Sequence, residues 1–339
     1  MHRLNDWHCP HAALASALLT LALWPLSTAW AQNPAPPKDN KTNEYTISVD
    51  VNEVVVHATV LDKRGHVVND LNKDDFRIYE DGAAQNLTHF SHADVPVTMG
   101  IVIDDSGSMK DKRQAVNSAA LIFAKTSNPQ DQVFVVNFND VYYLDTPGDF
   151  ASNIEDLKSA LDKIDSRGGT ALRDAVIASL DHMKLGNRDK KVLLVITDGE
   201  DNASRYTSEE LMTRSQKSNA VIYTIGLLGS DETSNLFKIH GGEAHRAAKV
   251  LRELAEATGG DAYFPHSLDE VESTCRQIAH DIRNQYTLVY KPSNLKKDGT
   301  FRNIRVDAFL PHTKSKLVVR TRPGYFAPRG EGPAAVAAK

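Results

Sequence analysis

The chain has 339 residues, of which 41% are hydrophobic and 24% are charged, as is ordinary for a globular protein with a sizeable core. Its formal net charge of −5 comes from 39 basic and 44 acidic residues, and no long run of either sign occurs. This balance argues against a nucleic-acid partner and against direct binding to an anionic membrane, so we expect contact with a membrane only through partner proteins.

The N-terminal segment predicts export. Arg3 precedes an apolar run from Ala12 to Leu26, and an A-x-A pattern that ends at Ala31 follows this run. These features are typical of a secretory signal peptide over residues 1–31. An uncleaved membrane anchor is the alternative, but the apolar run is short for a span. We therefore expect a secreted, periplasmic or cell-envelope protein that is cleaved near Ala31.

Two stretches with alternating apolar and polar residues flank the middle of the chain. After a proline-rich linker (residues 32–44), the alternation begins at Ile47 and marks residues 45–93 as a β piece, and it returns over residues 285–327. Each piece is small for an independent β-domain. We expect them to combine into one antiparallel β-sandwich, with two separate modules as the alternative. Residues 328–339 form a low-complexity tail that we expect to be disordered.

Between these pieces, residues 94–284 alternate apolar strands with amphipathic helices. The runs Val97–Ile103, Val133–Phe138 and Val192–Ile196 are mostly apolar, as expected of strands buried on both faces of a parallel sheet. Apolar residues from Leu268 to Ile282 recur at helical spacing. The pattern predicts an α/β domain with a doubly wound, mostly parallel sheet, inserted in or flanked by the small β-sandwich.

Two connections in this domain are less regular. The spacing of apolar residues predicts a helix over Ile154–Ile164, capped by Ser152 or Asn153. The segment Leu228–Gly242 is acidic and rich in glycine, and we expect it to form a loop ahead of a helix around Val250.

Short side chains that carry oxygen atoms gather where the predicted strands end. Asp104, Ser106 and Ser108 follow the first buried strand, Asp198 follows another, and Thr170 lies in a Gly-Gly-Thr loop between them. In a doubly wound sheet these places share the carboxyl edge, where ligands bind. Oxygen ligands of this kind suit a hard cation such as Mg²⁺. The alternative is an ordinary Asp/Ser/Gly turn that leads into a helix.

The combination of D-x-S-x-S, G-G-T and T-D-G resembles the metal-ion-dependent adhesion site (MIDAS) of von Willebrand factor type A domains. The resemblance covers about residues 95–284, and every position of the motif has a match. It implies that Ser106, Ser108 and Thr170 are hydroxyl ligands of the ion. Asp104 and Asp198 would hold it directly or through water. The flanking β pieces resemble the arrangement in secreted bacterial proteins with such a domain.

The ligand types suggest what the site does. Three neutral hydroxyls and two carboxylates leave Mg²⁺, or alternatively Mn²⁺ or Ca²⁺, short of negative charge and with a replaceable water. A Glu or Asp from a partner protein can take the place of that water. We therefore expect an exported, metal-dependent protein-binding protein, an adhesion or scaffold protein rather than an enzyme, with no small-molecule substrate.

Two other functions stay open at this point. A metal-dependent hydrolase or phosphatase could use the Asp104 cluster, but Ser106 stands where a D-x-D phosphatase motif has its second acid, and no G-x-S-x-G nucleophile motif is present there. A structural scaffold with a vestigial site is the third reading. The further carboxylates of Asp105, Glu200 and Asp201 could raise cation affinity or add a second ion, although we favour a solvated acidic loop.

Overall fold

The structure is a computed structural model that describes residues 53–228 and 237–330. The predicted signal peptide, the linker, the start of the alternation at Ile47 and residues 331–339 of the predicted tail lie outside these ranges. Within them, no helix is both long and apolar enough to cross a membrane.

The described part of the chain contains fourteen strands and six α-helices. The strands are β1 Val54–Leu61, β2 Phe76–Glu80, β3 Ala83–Gln85, β4 Leu87–Ser91, β5 Val97–Asp104, β6 Gln132–Phe138, β7 Tyr142–Leu144, β8 Lys190–Thr197, β9 Val221–Gly226, β10 Ala262–Tyr263, β11 Tyr286–Tyr290, β12 Phe301–Ala308, β13 Val318–Arg320 and β14 Gly324–Phe326. The helices are α1 Arg113–Lys125, α2 Ile154–Leu161, α3 Leu172–His182, α4 Ser208–Lys217, α5 Phe237–Glu256 and α6 Asp269–Arg283.

A six-stranded sheet forms the centre of the α/β domain. Its order is β10-β9-β8-β5-β6-β7, and every neighbouring pair is parallel except β6 and β7. Helices α1, α2 and α6 pack on one face, and α3, α4 and α5 pack on the other. The middle strand β5 is therefore buried at all eight residues, which explains why its sequence is mostly apolar. The predicted α/β fold class is confirmed.

Two antiparallel sheets form the β-sandwich, and each contains strands from both ends of the chain. Their orders are β13-β1-β11-β4 and β14-β12-β2-β3. Strands β1 and β11 pair antiparallel, with Val54 opposite Tyr290. Apolar side chains of both sheets share one core, in which the rings of Phe76 and Tyr286 lie 5.0 Å apart. The antiparallel β-sandwich that was predicted to flank the α/β domain is therefore present. The boundaries assigned to the individual domains stay predictions.

The structure corrects several element predictions. Helix α5 begins at Phe237, inside the segment expected to be a loop, because a helix tolerates internal glycines at a cost of about 1 kcal/mol each. Helix α2 ends at Leu161, and Ile164 beyond it is 47% exposed rather than part of the apolar stripe. Its cap is Asn153, whose side chain accepts a hydrogen bond from the Asp156 amide. The short strands β3, β4 and β14 had no clear signal in the sequence.

Candidate metal site

Asp104 lies at the carboxyl end of β5, between the neighbouring strands β6 and β8. Its side chain is fully buried, and both carboxylate oxygens accept hydrogen bonds. Oδ1 accepts from the backbone amide of Ser106 at 2.8 Å, and Oδ2 accepts from the hydroxyl of Thr197 at 2.6 Å. Thr197 is the last residue of β8, so the edge of the sheet itself fixes the orientation of this carboxylate.

The turn after β5 brings three of the other predicted residues together. Ser106 precedes a 3-10 turn over Gly107–Met109, which places Ser106 Oγ 3.2 Å from Ser108 Oγ. The Ser108 hydroxyl donates a hydrogen bond of 2.7 Å to Oδ1 of Asp198, the residue that follows β8. Ser106, Ser108 and Asp198 therefore form a continuous chain of oxygen atoms beside Asp104.

Thr170 reaches the same edge through backbone contacts of its loop. The amide of Gly107 donates to the carbonyl of Gly168 at 3.3 Å, so this loop lies against the turn after β5. The Thr170 amide donates to the side chain of Asn202 at 2.9 Å. Thr170 is buried, and a Cβ added at Gly199 would lie 3.8 Å from its Oγ1, so this hydroxyl faces the turn that follows Asp198.

Asp140 clamps the glycine-rich part of that loop. Its carboxylate accepts a hydrogen bond of 2.8 Å from the amide of Gly169. Gly168 has a φ of +74°, and a Cβ there would lie 2.0 Å from Asp140 Oδ2. Only glycine combines this backbone conformation with so close a carboxylate. At Gly169, an added Cβ would lie 2.5 Å from Oδ1 of Asn202. The loop therefore leaves no room for a side chain at either glycine before Thr170.

The two predicted carboxylate ligands have different electrostatic surroundings. Burial raises the pKa of Asp104, the hydrogen bonds from Thr197 and Ser106 oppose this, and the nearby charge of Asp198 raises the pKa further. Asp198 has a cation beside it, because the ammonium group of Lys112 pairs with its Oδ2. The Asp198 side chain is 1% exposed, whereas that of Lys112 is 31% exposed.

The additional carboxylates near the site are held by arginines. Asp105 is buried and pairs with Arg113 at 3.3 Å, and Asp201 pairs with Arg173 at 3.0 Å. Glu200 forms an ion pair with an arginine of α5. The expectation of a solvated acidic loop is therefore wrong for Asp105 and Asp201, because each buried carboxylate needed a cationic partner.

Sequence reasoning missed three residues that shape the site. Thr197, Lys112 and Asp140 each contact a predicted ligand or its loop. The T-D-G motif contains Thr197, so its position at a strand end was a usable signal. The sequence offered no comparable signal for Lys112 or Asp140, because their roles depend on contacts with distant segments.

The oxygen spacing fits a magnesium ion. Cis ligands of an octahedral Mg²⁺ ion, each about 2.0–2.1 Å from the metal, lie about 2.9 Å from one another. The contacts of Ser108 Oγ, 3.2 Å to Ser106 Oγ and 2.7 Å to Asp198 Oδ1, lie on either side of that spacing. In the described ranges, no group of three or more His, Cys, Asp or Glu residues is placed to hold a metal. A metal at this edge would therefore depend on hydroxyl ligands.

The comparison with protein families identifies the central domain. Residues 99–263 match the model of the von Willebrand factor type A domain. This segment, which contains both buried strand ends and the Gly-Gly-Thr loop, belongs to that domain family.

Individual matches are more distant. An uncharacterised protein of Borreliella burgdorferi is 29% identical over 107 residues, which is 30% of this chain and only 31% of the length of that relative. A von Willebrand factor type A structure from Catenulispora acidiphila has a TM-score of 0.46 and 13% identity, and the match covers 83% of this chain and 74% of that one. Proximal thread matrix protein 1 of the mussel byssus, with a zinc-occupied MIDAS motif, has a TM-score of 0.44 and 17% identity, with 60% and 50% covered.

Proposed function

We propose that this protein is a metal-dependent protein-binding module with an adhesion or scaffold role and no catalytic activity. Asp104, Ser106, Ser108, Thr170 and Asp198 would hold a Mg²⁺ ion, with Mn²⁺ or Ca²⁺ as alternatives. The observation that carries the proposal is the chain of oxygen atoms from Ser106 through Ser108 to Asp198, beside the buried carboxylate of Asp104. It supplies hard ligands, and two of their contacts, 3.2 Å and 2.7 Å, lie near the spacing of about 2.9 Å between cis ligands of an octahedral Mg²⁺ ion.

When bound, the ion would supply a positive charge that protein ligands only partly neutralise. Ser108 is the solvent-exposed member of the set, whereas the side chains of Asp104 and Asp198 are buried. A partner would therefore approach from the Ser108 side and present a Glu or Asp carboxylate in place of a water. Affinity for the partner would then depend on the metal, because the divalent ion would attract the partner's carboxylate more strongly than a single positive side chain does.

The arrangement gives less support to a hydrolase. Asp105, the nearest further acid on the same turn, is paired with Arg113 and accepts hydrogen bonds from the Asp165 amide and the Ser166 hydroxyl. A carboxylate engaged in this way is poorly placed to transfer a proton to a substrate.

The proposal also includes export of the chain after cleavage near Ala31. It keeps the domain limits predicted from the sequence.

Metal binding tests the assignment directly. We expect Mg²⁺ and Mn²⁺ to bind the purified protein in calorimetric titrations. Asp104→Asn or Asp198→Asn should weaken metal binding by more than about 100-fold, because each variant loses a carboxylate that holds the ion. The matched control is Asp162→Asn, which removes an exposed carboxylate at the end of α2, outside the cluster. Circular dichroism should show the same fold in all three variants. Wild-type affinity in folded Asp104→Asn would rule out the site.

Partner binding tests the functional step. Immobilised wild-type protein should capture a protein from an envelope extract in Mg²⁺ and release it in EDTA, whereas Asp104→Asn should capture none. Replacing surface acids of the captured protein by amides should then identify one whose loss abolishes binding. A partner that stays bound in EDTA would contradict the metal-dependent mechanism, and Mg²⁺-dependent hydrolysis of a generic phosphate ester that Asp104→Asn abolishes would contradict the non-catalytic one.

A further inference from the structure

Lys112 contributes the cationic group that touches a proposed ligand. Its ammonium pairs with Oδ2 of Asp198, and among the residues that the structure describes no other lysine or arginine forms an ion pair with Asp104 or Asp198. Lys112 belongs to the same segment as Ser106 and Ser108 and directly precedes α1. The segment that offers hydroxyl ligands to a metal therefore also carries a competing positive charge.

The two members of this ion pair differ in exposure. The Asp198 side chain is almost fully buried, so its charge requires a nearby partner, whereas about a third of the Lys112 side chain is in contact with solvent. The lysine can therefore move its ammonium into water at little cost, because its long side chain needs only a change of rotamer. By contrast, Arg113 is fully buried against Asp105 and lacks this freedom.

Building on the proposed metal site, we propose that the Lys112 ammonium is an internal competitor of the divalent cation for Asp198. A divalent ion within bonding distance of Asp198 would be repelled by an ammonium on the same carboxylate, so the ammonium must leave as the ion binds. The lysine would thus set the cation affinity of the site and keep Asp198 neutralised at low cation concentration. Its role is to tune affinity, not to act as a ligand.

Replacement of the lysine provides the main test. We expect Lys112→Met to bind Mg²⁺ about 10-fold more tightly or better, because the competing charge is gone, and Lys112→Arg to keep an affinity near wild type. The control is Lys125→Met, which removes the same charge from the last turn of α1. Thirteen residues along the helix separate it from Lys112, a rise of about 20 Å. Its Mg²⁺ affinity should equal that of wild type.

The outcomes separate this inference from the metal site itself. Equal or weaker Mg²⁺ binding by folded Lys112→Met, with wild type binding normally, would overturn the competitor role alone. Absence of divalent-cation binding in wild type, Lys112→Met and Lys112→Arg would overturn the metal site and this inference together. Binding by Lys112→Met where wild type binds none would support competition in its strongest form.

A measurement on wild-type protein tests the inference independently of the folding of Lys112→Met. In protein labelled with ¹³C-lysine, the ε-methylene resonance of Lys112 should shift on titration with Mg²⁺, with the same midpoint as the calorimetric binding curve. Loss of the signal in Lys112→Arg assigns it, and the Lys125 resonance is the internal control. A Lys112 signal that does not move while Mg²⁺ binds would show that the ammonium is not displaced, and would overturn the inference.

Discussion

The two ends of the central sheet treat buried charge in different ways. At the amino end, Asp131 accepts hydrogen bonds from the amides of Val97 and Asn128 and pairs with Arg283, which also bonds to Asp94 at 2.8 Å. At the carboxyl end of the same strand β5, Asp104 is held only by one hydroxyl and one amide. The amino end of β5 therefore contacts Asp131, which has a cationic partner, whereas its carboxyl end carries Asp104, which has none among the described residues.

Strand β8 shows the same contrast. It begins with Lys190, a buried lysine whose ammonium donates to the carbonyl of Ile282 at 2.5 Å, and Asp198 follows its last residue. At the amino end, the charged groups join the sheet to α6 and to the segment that leads from the sandwich. At the carboxyl end, they face hydroxyl groups and the half-buried Lys112. For these residues, the carboxylate at the amino end has a fixed cationic partner, whereas the carboxylates at the carboxyl end contact hydroxyl groups and a lysine that reaches solvent. Asp105, which pairs with the buried Arg113, is the exception at the carboxyl end.

Breaking the ion pair between Asp131 and Arg283 at the amino end should cause the largest decrease in the free energy of unfolding. Arg283→Met would leave the carboxylate of Asp131, whose side chain is 2% exposed, without its cation. Loss of one member of a buried pair typically costs about 3–5 kcal/mol, and we expect the free energy of unfolding to fall by about 3 kcal/mol. Urea unfolding would measure it, and Mg²⁺ affinity should not change.

A matched variant on the same helix shows whether burial is the cause. Arg276 of α6 pairs with Glu272 at 2.9 Å, but both side chains are about half exposed. Arg276→Met should therefore cost less than about 1 kcal/mol. Equal losses in the two variants would mean that the amino-end network contributes no more than a surface ion pair, and the contrast between the ends would fail.

A glycine substitution sharpens the comparison at the carboxyl end. Gly168→Ala would place a Cβ against Asp140 and displace the loop that carries Thr170. We expect a loss of about 3 kcal/mol in the free energy of unfolding, from backbone strain plus overpacking, together with weaker Mg²⁺ binding. Gly65 has a similar φ of +84° but has no atom within 4 Å of its added Cβ, so Gly65→Ala should cost about 1 kcal/mol.

Both alanine variants introduce backbone strain, but only Gly168→Ala also introduces a clash with Asp140, so their comparison separates the two effects. Gly65 lies in the turn after β1, in the sandwich, so its substitution should leave Mg²⁺ affinity unchanged. If Gly168→Ala bound Mg²⁺ as tightly as Gly65→Ala does, the position of Thr170 would not matter for the ion, and its assignment as a ligand would be withdrawn.

The difference between the two ends also explains what the sequence could predict. Strands such as β5 and β8 were predictable because each contains an apolar run, and Asp104 and Asp198 were found because they lie just beyond those runs. The partners of charged groups were not predictable. Lys112 and Asp198 are 86 residues apart, and nothing local in the sequence distinguishes Lys112 from other lysines near helix starts.

Short or half-exposed elements were also beyond prediction. The three residues of β3 are exposed or only partly buried, so they show no apolar alternation, and their pairing with β2 depends on the turn between them. Helix α5 was predicted too short because the adjacent glycines Gly241 and Gly242 favour a loop locally. In both cases the neighbouring elements, rather than the local sequence, decide the structure.

Apart from the two control variants, the smallest expected effect on stability is its pH dependence at the amino end. Burial, and then the charge of Arg283, lower the pKa of Lys190 to about 7. In the unfolded chain its pKa is about 10.4. Between these values the unfolded state binds a proton that the folded state does not, so the free energy of unfolding should rise with pH. From pH 7 to 8.5 we expect Lys190 to add about 1.5 kcal/mol.

Lys190→Met should lack this rise, whereas Lys158→Met, which removes an exposed lysine from α2, should retain it. Burial also lowers the pKa of His57 and of Lys191, but both residues are present in wild type and in Lys190→Met, so the difference between the two curves reports Lys190. The upper limit of pH 8.5 restricts the opposing contribution of Cys275, whose pKa burial raises to about 12. Its titration in the unfolded chain, where a cysteine has a pKa of about 8.5, lowers stability by the same amount in wild type and Lys190→Met. If the free energy of unfolding depended on pH in the same way in wild type and Lys190→Met, Lys190 would keep its proton in the folded protein. The amino end would then stabilise the Lys190 ammonium as a charged group, as it does Arg283.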